Sequence, residues 1–175
     1  MEFTTIKIQL GESVAWVNLD RPEVRNALNP ELIHELTEAF EWLGSRDDIR
    51  VIVLKGNGKA FCAGADLAYM KKMAGFSYEE NLADAERLSK LFQTIWFCNK
   101  AVVTVVHGAC IGGANGIVAA SDIVISETGT KFAFSEVRLG ITPATISPFV
   151  VQKAGMSAAK ELMLTGRRFT AEEAK

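Results

Sequence analysis

The stretch VVTVVHGACIGGANG, residues 102–116, decides the fold. Residues 102–106 are β-branched throughout and read as a buried strand. A glycine-rich turn follows, and Ala114–Ala120 then reads as a helix of small residues. Outward from it the same order recurs: strand, turn, second short extended piece, helix. VAWVNLDRP (residues 14–22), VIVLKGNGKAFCAG (residues 51–64) and IVISETGTKFAFSE (residues 123–136) are the other units. This predicts an α/β fold in which stacked ββα units, wound as a spiral, bury the apolar strands of each on the next. A doubly wound sheet is the rival architecture. The paired short strands after each turn favour the spiral.

The remaining elements fit between these units. Residues 5–10 pair with Val14–Leu19 across Gly11, Glu12 and Ser13. Asn29 followed by Pro30 is a cap with proline at the first helical position, and Leu32, Ile33, Leu36, Phe40 and Leu43 follow at helical spacing. Ser77 with Glu80 forms a capping box opening a long amphipathic helix through Leu82, Ala85, Leu88, Phe92 and Ile95. The segment around Gly75 is expected to be a mobile loop. Residues 145–154 and 157–164 read as helices, and Thr170 with Glu173 as the cap of one more. No linker divides residues 1–175, which are expected to form one domain.

Composition narrows the function classes. Of 175 residues, 49% are hydrophobic and 23% charged, as in a soluble globular domain. A net charge of −2 gives no general attraction to nucleic acid or anionic membranes. The apolar runs fall well short of the roughly 20 residues of a membrane span. The N-terminus lacks a signal-peptide pattern, and Cys62, Cys98 and Cys110 lack metal-ligand spacing. Free thiols in a cytoplasmic protein without a bound metal are the expectation.

Neither glycine-rich turn is a nucleotide motif. Residues 108–116 lack the G-x-G-x-x-G spacing, and Gly56 to Lys59 do not make a phosphate loop. Taken together, however, Ala63-Gly64-Ala65-Asp66 and Gly112-Gly113 each end an extended piece and begin a helix, where backbone N–H groups are free. Two such groups from adjacent units can converge on one oxygen as an oxyanion hole. The glycines would equally well permit close helix–strand packing.

Phe61-Cys62-Ala63-Gly64-Ala65-Asp66-Leu67, then His107 to Gly113, then Phe134-Ser135-Glu136-Val137-Arg138-Leu139-Gly140 resemble the signature of the enoyl-CoA hydratase/isomerase (crotonase) superfamily, in its order and spacing. Residues 20–29 look like its coenzyme A loop, so the resemblance spans essentially the whole chain. It implies that the Ala65 and Gly113 N–H groups bind the thioester oxygen of an acyl-CoA. It also implies that Val24, Arg25, Ala27, Leu28, Ala63, Asp66, Leu67, Gly112 and Gly116 line the substrate site. Coenzyme A then arrives as part of the substrate, and no separate cofactor is expected. Further C-terminal helices that close the acyl pocket and pack a homotrimer or hexamer are also implied; they are expected to lie beyond Lys175.

Glu136 stands where the superfamily carries a catalytic glutamate, among Phe132, Phe134, Val137 and Leu139. Apolar surroundings raise a carboxyl's pKa toward neutrality, as a general acid/base requires. One departure stands out: the second glutamate of two-glutamate hydratases falls on Gly116. Single-glutamate members include enoyl-CoA isomerases. Residues 135–149 look most like methylglutaconyl-CoA and carboxygeranoyl-CoA hydratases, where a water, a substrate carboxylate or Asn115 would replace the missing group. His107 is expected to be structural, His34 solvated, Arg138 ion-paired at the surface, and Cys62 and Cys110 unreactive. Lys59, Lys71 and Lys72 flank the coenzyme A region.

Overall fold

A computed structural model describes residues 2–175. Strands β1 (Ile6–Leu10), β2 (Val14–Leu19), β3 (Val51–Gly56), β4 (Ala101–Val106) and β6 (Ile123–Ser126) form one sheet in that order. The β1–β2 hairpin is antiparallel and every later pairing in this sheet is parallel. Strands are thus added to one side only, without the reversal of direction that marks a doubly wound sheet. A second sheet contains β5 (Ala109–Ile111), β7 (Lys131–Ala133) and β8 (Arg168–Thr170) in that order.

Helix α1 (Pro30–Gly44) begins where Asn29 accepts a hydrogen bond from the Leu32 N–H, and its apolar stripe buries Leu32, Ile33, Leu36, Phe40 and Leu43. Helix α3 (Tyr78–Trp96) starts with both bonds of the Ser77–Glu80 capping box and buries Leu91, Phe92 and Ile95. These residues share one core with Ala15, Ile52 and Val102, which stand side by side across β2, β3 and β4. Each large side chain so buried contributes about 1.5–3 kcal/mol. Polar groups within this core find partners: Glu35 accepts from the N–H and hydroxyl of both Thr4 and Thr5, and Thr104 meets Ser121 at 2.6 Å.

Helix α2 (Leu67–Met73) opens at Asp66, α4 spans Ala114–Ala120, and α5 (Ser147–Ala154) and α6 (Met156–Thr165) complete the helices. The start of α5 differs from the sequence expectation by two residues, because Pro148 occupies its first turn and Ile146 closes a preceding turn onto Pro143. Thr170 and Glu173 make the two bonds of a cap, but only a turn follows within the chain. No described helix is long and apolar enough to cross a membrane.

Candidate functional site

Two short parallel backbone bridges place the candidate residues. Leu28 pairs with Ala65, and Cys62 with Cys110. In the first, Leu28 donates to Gly64 at 2.7 Å and accepts from Asp66 at 2.9 Å. The bridge therefore uses the residues either side of Ala65, and its own N–H points away from Leu28. Among the described residues that N–H meets no acceptor, and neither does that of Gly113. Both are left available at the start of a helix, where partial positive charge collects.

The two turns touch. Gly64 has φ +93°, and a side chain there would meet the Ile111 carbonyl oxygen at 2.8 Å. Only glycine allows this approach. Leu28 closes the contact from the other side, with Cδ1 3.2 Å from a Cβ position on Gly113. Leu28 thus faces both turns, Ala65 through its backbone and Gly113 through its side chain.

Glu136 begins a 3₁₀ turn, Glu136–Leu139, separated from β7 by Phe134 and Ser135. Its Oε1 lies 3.3 Å from the point where a Gly112 Cβ would stand. Its Oε2 is buried and has no hydrogen-bond partner. Burial pushes its carboxyl above the ordinary glutamate value, and a bond from its own backbone opposes this only in part. An unpaired buried carboxylate is costly, so Glu136 is held ready to accept a proton.

Gly116 lies one turn into α4, its N–H bonded to the Gly113 carbonyl at 3.0 Å. A Cβ there would meet Ile146 at 2.5 Å and Phe92 at 2.6 Å. The space a second glutamate would need is filled by core side chains. Asn115, considered above as a substitute, is instead buried with its amide donating to the carbonyls of Gly112 and Ala133. Its donors are spent on holding the Gly112 turn to β7.

The loop before Leu28 is built around two residues that sequence reasoning did not single out. Asn26 is fully buried at φ +55°. Its amide donates to the carbonyls of Asn57, Ala60 and Phe61, and its Oδ1 accepts from the Arg21 N–H. Arg21 bonds the Ala27 carbonyl and pairs with Asp66 at 3.0 Å. Desolvation would raise the Asp66 pKa, but bonds from Arg21 and from the Tyr69 and Ala68 N–H groups outweigh it and hold the carboxyl low. Only a tie spanning 45 residues revealed this pair, whereas an asparagine inside a turn-forming loop was the available hint for Asn26.

The structure therefore joins Arg25, Ala27, Leu28, Ala63 and Asp66 through direct backbone or side-chain bonds, the Ala63 N–H reaching the Arg25 carbonyl at 3.0 Å, and Ala65 lies between Gly64 and Asp66, the two residues that Leu28 bonds. Gly112, Gly113 and Glu136 join them by contact. Val24 and Arg25 present exposed side chains on the rim, and Leu67 is 74% exposed beside them. Gly116 stands apart, inside the core. Burial pushes the Cys62 thiol up to about 12 and raises Cys110 well above the ordinary thiol value, so both are held protonated. His107 Nε2 meets the Gly58 carbonyl at 3.0 Å. Arg138 differs from expectation: it is exposed and has no ion pair among the described residues. Lys59, Lys71 and Lys72 are exposed.

Two unpaired N–H groups on touching turns, with a proton-accepting carboxylate against one of them, can hold an enolate and exchange a proton beside it. Comparisons with known proteins show the family. The enoyl-CoA hydratase/isomerase family model matches residues 9–175. The enoyl-CoA hydratase ACTT6 of Alternaria alternata is 37% identical over 150 residues, covering 86% of this chain and 48% of that protein. The trans-2-decenoyl-[acyl-carrier-protein] isomerase of Streptococcus mutans is 30% identical, covering 99% of this chain and 67% of that one. The crystal structure of an enoyl-CoA hydratase from Shewanella pealeana superposes with a TM-score of 0.97 at 39% identity, covering 99% of this chain and 65% of that chain. The chain thus spans between about half and two thirds of the relatives it matches. It belongs to the enoyl-CoA hydratase/isomerase family.

Proposed function

We propose that this protein adds water to a short or branched 2-enoyl-CoA, methylglutaconyl-like in shape, through an enolate held by the Ala65 and Gly113 N–H groups. The observation that carries this is Glu136, whose buried oxygen lacks a partner while the other lies against Gly112, next to Gly113. Glu136 is the one proton-transfer group in this scheme, and coenzyme A comes with the substrate, held by residues 24–28 and 63–67. Exposed Val137, Leu139 and Ile141 offer an apolar rim for a branched acyl chain, and the unpaired Arg138 a cation for an acidic one. The strand alternation between the two sheets supports a spiral of ββα units. Exposed Leu164, Phe97 and Met156 support assembly into a trimer or hexamer, and the three free thiols support a cytoplasmic location.

Loss of conjugated enoyl-thioester absorbance on adding the protein, abolished by Glu136→Gln, is the expected result. Full turnover by Glu136→Gln would remove the assignment. A second reading, double-bond isomerisation by the same glutamate, is favoured by the apolar packing around Gly116, which leaves one carboxylate at the site. Conjugation appearing from a 3-enoyl-CoA without water addition would select it.

A further inference from the structure

Glu136 has a polar neighbour in Ser135. The Ser135 Oγ lies 3.3 Å from the point where a Gly112 Cβ would stand, the same distance as Glu136 Oε1. Both side chains converge on a space that glycine alone leaves open. Ser135 precedes the 3₁₀ turn without capping it, and among the described residues its hydroxyl has no hydrogen-bond partner. It is only half-buried and, unlike Glu136 Oε2, is not cut off from solvent. An unpartnered hydroxyl next to a carboxylate with one unpartnered oxygen leaves bonds for a small polar third party. Around Gly116, where a second carboxylate would have served, Phe92 and Ile146 close the space.

We propose that Ser135 orients the water added to the substrate, an inference that rests on the hydration reading above. The water donates one hydrogen to Glu136 and the other to the Ser135 Oγ, which leaves a lone pair for C3 of the enoyl thioester. The water oxygen bonds to C3, the C2–C3 π pair becomes the C1–C2 double bond of the enolate, and the carbonyl π pair moves onto the thioester oxygen held by Ala65 and Gly113. The water's proton passes to Glu136. The enolate then collapses, C2 takes that proton from Glu136, and the carboxylate is restored. The hydrogen and hydroxyl of one water end on C2 and C3, and Ser135 neither gains nor loses a proton.

The test compares two rates in wild type and Ser135→Ala: water addition to an enoyl-CoA, and deuterium exchange at C2 of a saturated acyl-CoA in heavy water. Exchange needs Glu136 and the N–H pair but no oriented water. The ratio of hydration to exchange is expected to fall about 10²-fold, the scale of a misplaced reactant. An unchanged ratio overturns the role of Ser135, whether both rates persist or both fall through damage to the fold. If wild type exchanges but adds no water, the hydration reading fails and the Ser135 role fails with it. Wild-type hydration with an unchanged ratio removes Ser135 alone.

Discussion

Oε1 of Glu136 rests 3.3 Å from the vacant Cβ position of Gly112, a residue at φ +55°. The Glu136 carboxyl and the turn carrying Gly113 are thereby packed on each other. Gly112→Ala forces a side chain into the left-handed region, at about 1–2 kcal/mol, and pushes it against the carboxylate. A drop in melting temperature of a few degrees is expected, with a larger proportional loss of activity than of folded protein. Circular dichroism melts beside turnover measurements check this; wild-type activity in the variant would count against the contact.

Glu136 also makes stability depend on pH in an unusual direction. Burial raises its folded pKa above the unfolded value. Its contribution to stability is therefore fully present below the ordinary glutamate pKa and is lost as pH rises through the folded pKa. Glu136→Gln, which cannot ionise, is expected to melt higher than wild type at neutral pH and to lose that advantage in acid. Melts across this pH range decide the matter.

Glu35 behaves in the opposite sense. Desolvation raises its pKa, but hydrogen bonds from Thr5 and Thr4 outweigh this and lower it. Its contribution is present above the unfolded glutamate pKa and is lost as pH falls through the lower folded value. Glu35→Gln should cost about 1–3 kcal/mol at neutral pH, with the deficit shrinking in acid. Urea unfolding at both pH values measures it.

The Asn26 clamp gives a separable prediction. Asn26→Ala leaves the Asn57, Ala60 and Phe61 carbonyls without this donor and loosens the loop carrying Leu28. A loss of about 1–3 kcal/mol of stability is expected, with a raised KM for acyl-CoA. Unchanged KM would show that the loop does not serve substrate binding.

Gly116 tests the one-carboxylate character of the site. Gly116→Glu would drive a charged side chain against Phe92 and Ile146. Loss of stable folded protein is expected, since overpacking and an unpaired buried charge add. A folded Gly116→Glu variant with faster hydration would contradict the packing.

Much of the fold was legible where local chemistry was strong. The Asn29 cap with the stripe from Leu32 to Leu43 set α1, and Ser77 with Glu80 set the start of α3. Strand β8 left no signal, because three residues with only Phe169 buried carry no period, and its partner β7 lies more than thirty residues away. Helix α2 buries no residue, so only its Asp66 cap could announce it. At the site, the glycine turns were readable from strand–turn–helix order. The clamping roles of Asn26, Arg21 and Asn115 were not, because each depends on carbonyls or carboxylates brought together by folding.

We infer that Glu136 moves a proton beside an enolate held by Ala65 and Gly113, a step shared by hydration and isomerisation. Incubation with an acyl-CoA in heavy water, read by mass spectrometry, tests it most directly. Wild type is predicted to place deuterium on the acyl chain, and Glu136→Gln to bind the acyl-CoA without exchange. Equal exchange by the two proteins would remove this role from Glu136.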